Sequence, residues 1–139
     1  MSNVYLASGW FNENQLQRVT TLEKILKTKR LCVYSPRLNQ QTINEEFSPQ
    51  WRIEVFQSNI YHIQNADIVV AIYDEEDPGT MMEVGYAFAI GKPVVLIVFQ
   101  PQAINLMLVE SARAILTPRQ LLYLCIESIE KIPYDGLVK

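Results

Sequence analysis

Two pentapeptides, Ile68-Val69-Val70-Ala71-Ile72 and Val94-Val95-Leu96-Ile97-Val98, are apolar at every position and rich in β-branched residues. A strand with one wet face alternates polar and apolar residues, so unbroken runs like these belong to strands covered on both faces. Val4-Tyr5-Leu6-Ala7, Leu31-Cys32-Val33-Tyr34 and the short Ala114-Ile115-Leu116 read as three more strands. Helical stretches separate them. Leu16, Val19, Leu22 and Leu26 recur at three- and four-residue spacing within residues 12–29. Ser48-Pro49 is a helix start, and Ile53, Phe56, Ile60 and Ile63 are expected on its buried face. A further helix is expected over residues 80–90, ended by Gly91 and Pro93, and a last one over residues 118–131. Residues 37–47 make the longest loop, and residues 104–111 a short helix or turn. Strands alternating with helices predict an α/β fold, a three-layer doubly wound parallel sheet of about five strands in the flavodoxin-like order. Residues 1–139 form one domain on this reading.

Charge and residue usage narrow the function. The chain carries 12 Lys+Arg against 15 Asp+Glu, with no basic stripe, which argues against a partner that is a nucleic acid polymer. Cys32 and Cys125, each inside an apolar stretch, form no CxxC pair, and His62 is the one histidine. Neither a disulfide framework, a zinc site nor any other metal site is expected, and no cofactor. No apolar run is long enough to span a bilayer and the first residues lack a signal-peptide pattern, so the expected setting is the cytoplasm, with no membrane partner.

In a sheet of this kind ligands bind at the carboxyl ends of the strands. The usual phosphate devices are missing there. Gly9 stands alone after the first strand where a dinucleotide fold needs GxGxxG, and Gly91-Lys92-Pro93 lies at a helix end, not in a P-loop. Ser8-Gly9-Trp10 lacks the acidic pair of a phospho-receiver domain. What remains is the acidic turn Asp74-Glu75-Glu76-Asp77-Pro78-Gly79 leading into Thr80-Met81-Met82-Glu83. Thr80 and Glu83 have capping-box spacing. Glu83 is also the only charge in an apolar helix expected to be buried nearly all round, a setting that raises a carboxyl pKa and suits nucleophilic or acid–base work. Trp10-Phe11 can stack a flat heterocycle or cover the core edge. Asn105, in Ile104-Asn105-Leu106-Met107, and Gln40 read equally as ordinary polar loop residues. His62 reads as a helix-surface or boundary residue with no assigned role.

Taken together these segments resemble the nucleoside 2-deoxyribosyltransferases. Tyr5-Leu6-Ala7-Ser8-Gly9-Trp10-Phe11 is similar to the family's opening Tyr-x-x-x-Gly-Trp-Phe, and residues 74–87 are similar to its acidic loop and nucleophile helix. Ile104-Asn105-Leu106-Met107 and Tyr134-Asp135-Gly136-Leu137-Val138 match later segments, so the likeness runs in order along nearly the whole chain. It implies transfer of a 2-deoxyribosyl group from a deoxynucleoside donor to a nucleobase acceptor, with retention, through a covalent glycosyl intermediate on Glu83. Tyr5 matches the phenol that orients the nucleophile, and Asp77 an acidic residue of the catalytic site. Gly9, Trp10, Phe11, Gln40, Asn59, Asn105 and Met107 fall at substrate-binding positions. Asn105 matches a residue lent by a neighbouring subunit, so a homo-oligomer with shared active sites is implied. Asn59 and Lys139 depart from the pattern, standing where several bacterial members carry Asp and Tyr. Two rivals stay open on sequence: an N-glycoside hydrolase of 2-deoxynucleoside monophosphates, with Ser8 and Ser111 as phosphate ligands, and a nucleotide-binding module without turnover.

Overall fold

The computed structural model describes residues 1–139 and contains five strands, all parallel. In chain order the elements are β1 (Ser2–Ala7), α1 (Glu13–Lys27), β2 (Leu31–Tyr34), α2 (Pro36–Asn39), α3 (Pro49–Gln64), β3 (Ile68–Ile72), α4 (Pro78–Ala89), β4 (Val94–Ile97), α5 (Leu106–Ser111), β5 (Ala114–Leu116) and α6 (Pro118–Tyr123), followed by a 3-10 turn at Ile126–Ser128. The strand order is β2-β1-β3-β4-β5, the expected flavodoxin-like arrangement. Its direction of winding reverses between β1 and β3, and a crevice opens there beyond their carboxyl ends.

Strand alternation explains the two cores. Val4 and Leu6 of β1 face one side of the sheet, where Val19, Leu22 and Leu26 of α1 and Leu121 of α6 cover them. Tyr5 and Ala7 face the other side, covered by Ile63 of α3, Val84 and Ala87 of α4 and Val109 of α5. A fully buried Val or Leu side chain contributes roughly 1.5–3 kcal/mol relative to exposure, so both clusters are large stabilising terms. No helix is long and apolar enough to cross a membrane.

Several helical expectations need correction. Helix α1 starts one residue later than the pattern, because the Asn12 side chain accepts from the Gln15 backbone N–H as the N-cap. Gln15 is buried in the place expected for Leu16, which is 40% exposed. On α3 only Ile63 is fully buried, while Ile53 and Phe56 are 57% and 54% exposed. Helix α4 is apolar but not enclosed, since Met82, Gly85, Phe88, Ala89 and Ile90 lie on an exposed face. The last helix stops at Tyr123 and not near residue 131, and Leu124 is extended. Apolar sequence alone cannot tell a face turned to the core from one turned to solvent. Both cysteines are free and exposed, contrary to their apolar surroundings in sequence.

Candidate active site

The crevice between β1 and β3 is a cavity of about 350 Å³, walled by β1 and the segment after it, by α2 and the loop that follows, by α3 and by the start of α4. Tyr5, Gly9, Trp10, Phe11, Gln40, Asn59, Asp77 and Glu83 all line it. Eight of the ten residues singled out in the sequence therefore share one space.

Glu83 sits on the second turn of α4 and lines the cavity. Its carboxylate Oε2 accepts a very short hydrogen bond from the Tyr5 hydroxyl. Burial pushes the Glu83 carboxyl up to about 7; the phenol's hydrogen bond works against this and the neighbouring Asp77 charge adds to it. Burial, with the adjacent Glu83 charge, drives the Tyr5 hydroxyl well above its ordinary value, so it stays a proton donor. The capping-box expectation for Thr80 and Glu83 fails here. The N-cap of α4 is Asp77, Pro78 opens the helix, and the Thr80 hydroxyl donates to Asp77 Oδ2 at 2.5 Å. That frees the Glu83 carboxylate to face Tyr5 and the cavity.

Asp77 is itself buried, and Gly9 explains how its carboxylate fits. A Cβ built on Gly9 would lie 2.6 Å from Asp77 Oδ2 and 3.1 Å from Gln15 Oε1. Any side chain at position 9 would displace one of these groups. Gln15 ties the two loops together: its Oε1 accepts from the Phe11 N–H at 2.8 Å and its Nε2 donates to Asp74 Oδ2 at 2.9 Å. Arg18 adds an ion pair to the same Asp74 oxygen at 3.1 Å. The acidic turn is thus held from α1 on one side of the crevice.

The opposite wall comes from residues the sequence reading did not select. Pro36, Glu46, Phe47, Trp51 and Val55 line the cavity, and Phe47 and Trp51 meet edge to face at 5.0 Å between centroids. Trp51, Val55 and Asn59 follow one another at four-residue spacing on α3, a single helical face. That spacing, once Asn59 was singled out, was the signal available. Asn59 Oδ1 is buried without a hydrogen-bond partner, and its side chain borders the cavity.

Asn105 and Met107 do not line this cavity. The Asn105 side chain caps α5 by accepting from the Met107 N–H at 2.9 Å, and the Met107 side chain is exposed. The tail pairs with this segment through the Ile104–Val138 bridge, and the Leu106 N–H donates to the Lys139 carbonyl at 2.8 Å. Lys139 Nζ reaches Glu75 Oε1 at 2.5 Å, and the Tyr73 hydroxyl donates to the same oxygen at 2.7 Å. Ser8 borders the cavity but donates to the Gly9 carbonyl, and Ser111 lies elsewhere, donating to the Leu108 carbonyl.

The family model for nucleoside 2-deoxyribosyltransferase matches residues 4–129. The chain belongs to that family. Nucleoside deoxyribosyltransferases from Limosilactobacillus fermentum and Lactobacillus leichmannii are 28% and 30% identical to it, over 70% and 68% of this chain. The aligned stretches span 66% and 69% of those relatives' lengths. A solved 2-deoxyribosyltransferase from the psychrotolerant Bacillus psychrosaccharolyticus superposes with a TM-score of 0.90 at 35% identity, over 96% of this chain and 99% of that one. This is a deoxyribosyltransferase fold, with the flavodoxin-like sheet expected from the sequence.

Proposed function

We propose that this chain exchanges nucleobases on 2-deoxyribose through a covalent glycosyl intermediate on Glu83, with retention. The observation that carries the reading is the buried Glu83 carboxylate, oriented by the Tyr5 phenol and opening onto a cavity of nucleoside size. Departure of the donor base builds positive charge on the sugar, which a carboxylate on the opposite face stabilises and then captures. The incoming base attacks the other face of the captured carbon, so two inversions give net retention. Asp77, beside Glu83 at the sugar end, is the group in place for proton transfer or for a sugar hydroxyl. Trp10, Phe11 and Gln40 border the base end, and the Trp10 and Phe11 rings lie stacked at 6.2 Å.

Among the residues lining the cavity none is Lys, Arg or His, while Glu46, Asp77 and Glu83 are carboxylates. A 5-phosphate would meet negative charge with no cation to balance it, which favours a deoxynucleoside over a nucleotide. Incubation of a deoxynucleoside with and without an acceptor base, read by chromatography, tests the reading. Exchange with acceptor and slow loss without it is the expected result; equal rates of free-sugar release would identify a hydrolase, and binding without turnover a sensing module.

Ionised Glu83 is the reactive form, so exchange should rise with pH and level off on passing about 7. A pH–rate profile of kcat checks this, and a flat profile between about pH 5 and 8 would remove Glu83 from the rate-limiting chemistry.

The orphaned Asn59 Oδ1 needs a donor, and a base N–H in the cavity can supply it. An amide accepts and donates but is no strong acid, so Asn59→Asp should change the ratio of purine to pyrimidine donor rates and shift the acid limb. Equal losses with all donors and an unmoved profile would assign Asn59 a structural role.

The working form is a homo-oligomer with shared sites. Ile53 and Phe56 on α3, Met82 and Phe88 on α4, and Leu106 and Met107 on α5 are exposed on the same side of the sheet. A second copy seated there covers them and brings its own Asn105 and Met107 towards a neighbour's cavity. Two free cysteines without a disulfide fit a reducing compartment, the cytoplasm.

A further inference from the structure

We propose that His62 is a positioning residue for the Tyr5 phenol, acting through a continuous stack of three rings. The proposal rests on the reading of Glu83 as nucleophile. Tyr5 of β1 and Tyr34 of β2 are register partners and project from the same face of the sheet. Their rings stack with centroids 5.9 Å apart and planes within 17°. Tyr34 stacks in turn on the imidazole of His62 from α3, with centroids 3.6 Å apart and planes within 13°. Ser58, one turn earlier on α3, lies 3.4 Å from the Tyr34 hydroxyl and holds the far end of that ring.

Helix α3 therefore holds Tyr34 at both its face and its hydroxyl, and Tyr34 backs the ring of Tyr5. A phenol backed on one face cannot swing about χ1 without displacing its neighbour, and such a swing carries the hydroxyl away from Glu83. The helix that supplies Trp51, Val55 and Asn59 to the base end thereby also steadies the bond at the sugar end. His62 lies outside the cavity lining, so this role needs no contact with substrate.

The charge state of Glu83 reads the stack. The groups facing its carboxylate are Tyr5 from β1 and Asp77 from the start of α4; Tyr34 of β2 lies behind Tyr5, Glu46 lines the cavity from the loop, and α3 offers the neutral Asn59. The Tyr5 hydrogen bond is the influence that holds Glu83 down, so loosening Tyr5 moves the Glu83 titration upwards.

The test compares His62→Ala and His62→Phe with the parent protein in the pH–rate profile and in carbon-13 NMR titration of the Glu83 side-chain carboxyl. His62→Ala is expected to raise the Glu83 titration by roughly 0.5–1 unit, which lowers exchange at about pH 6 by ~3- to 10-fold with KM little changed. His62→Phe, which keeps a flat ring against Tyr34 and cannot carry charge, is expected to restore both. If the alanine variant fails to fold, His62→Leu, of comparable bulk without a flat ring, takes its place and should show the same displacement. An unmoved Glu83 titration in a folded variant overturns the proposal whatever happens to thermal stability, and so does a Phe variant as displaced as Ala. The NMR titration needs no turnover, so absence of base exchange overturns the proposed function while leaving the stack to be judged separately.

Discussion

Glu83→Gln should abolish base exchange and, above neutral pH, make the protein more stable than its parent. The amide keeps the volume of the side chain and an oxygen that accepts from Tyr5, but it cannot capture an anomeric carbon. The stability effect follows from linkage. Burial raises the folded carboxyl from 4.5 to about 7, so the folded state binds an extra proton between those values. The contribution of this group is complete below about pH 4.5 and is lost as pH rises through about 7, a loss of roughly 3 kcal/mol once the buried group is charged. The Gln variant has no charge to bury. Urea unfolding at about pH 8 should therefore favour the variant by up to ~3 kcal/mol, with the curves converging near pH 5. More than a few per cent of residual exchange in the folded variant would sink the nucleophile assignment, and equal stability at high pH would sink the account of the buried charge.

The second large effect is complementation between two inactive chains. Asn105→Ala leaves Glu83 intact, whereas Glu83→Gln leaves Asn105 intact. If the cavity of one protomer is completed by a partner's Asn105, each variant alone should be nearly inactive, and a mixture should regain a sizeable fraction of parental activity. The regained fraction depends on how many mixed cavities draw both intact groups, and it should follow the mixing ratio. Exchange rates of mixtures, with size measured by light scattering at the same concentrations, provide the check. A fully active monomer, or mixtures that merely average the two variants, would end the shared-site reading. Within one chain Asn105 is occupied in capping α5 and does not line the cavity, which is why a neighbour is invoked.

The sheet was legible in sequence because its signals are local. Ile68–Ile72 is buried at all five positions, as an unbroken apolar run demands. The chemical wall was nearly as legible, since Tyr5, Gly9, Asp77 and Glu83 sit at strand ends where this topology assembles ligands. Thr80 and Glu83 were misread in isolation: their spacing satisfies a capping box, but Tyr5, 78 residues away in sequence, took the Glu83 carboxylate, and Asp77, three residues back, took the Thr80 hydroxyl. Phe47 and Trp51 escaped notice because nothing local separates an aromatic that walls a cavity from one that packs a helix. The exposed Ile53 and Phe56 were placed inside for a related reason, as hydrophobic spacing marks an apolar face without recording whether the same chain packs against it.

The crevice has two walls of different ancestry in the chain, and they differ in how freely they can change. The wall made by β1, Gly9 and the start of α4 is crowded to the point where one added methyl group meets a carboxylate. The wall made by the loop before α3 and by Trp51, Val55 and Asn59 is a set of side chains on a single helical face, with Phe47 laid over it. On the proposed function, substitutions on this second wall would recut the shape offered to a base while Glu83 and Tyr5 opposite stay where they are. Libraries directed at positions 47, 51 and 55 would search acceptor scope, including unnatural heterocycles, with the bond-making apparatus held constant. Natural drift would have the same route open to it: on this reading a change of base asks for new side chains on α3 and leaves Glu83 and Tyr5 untouched.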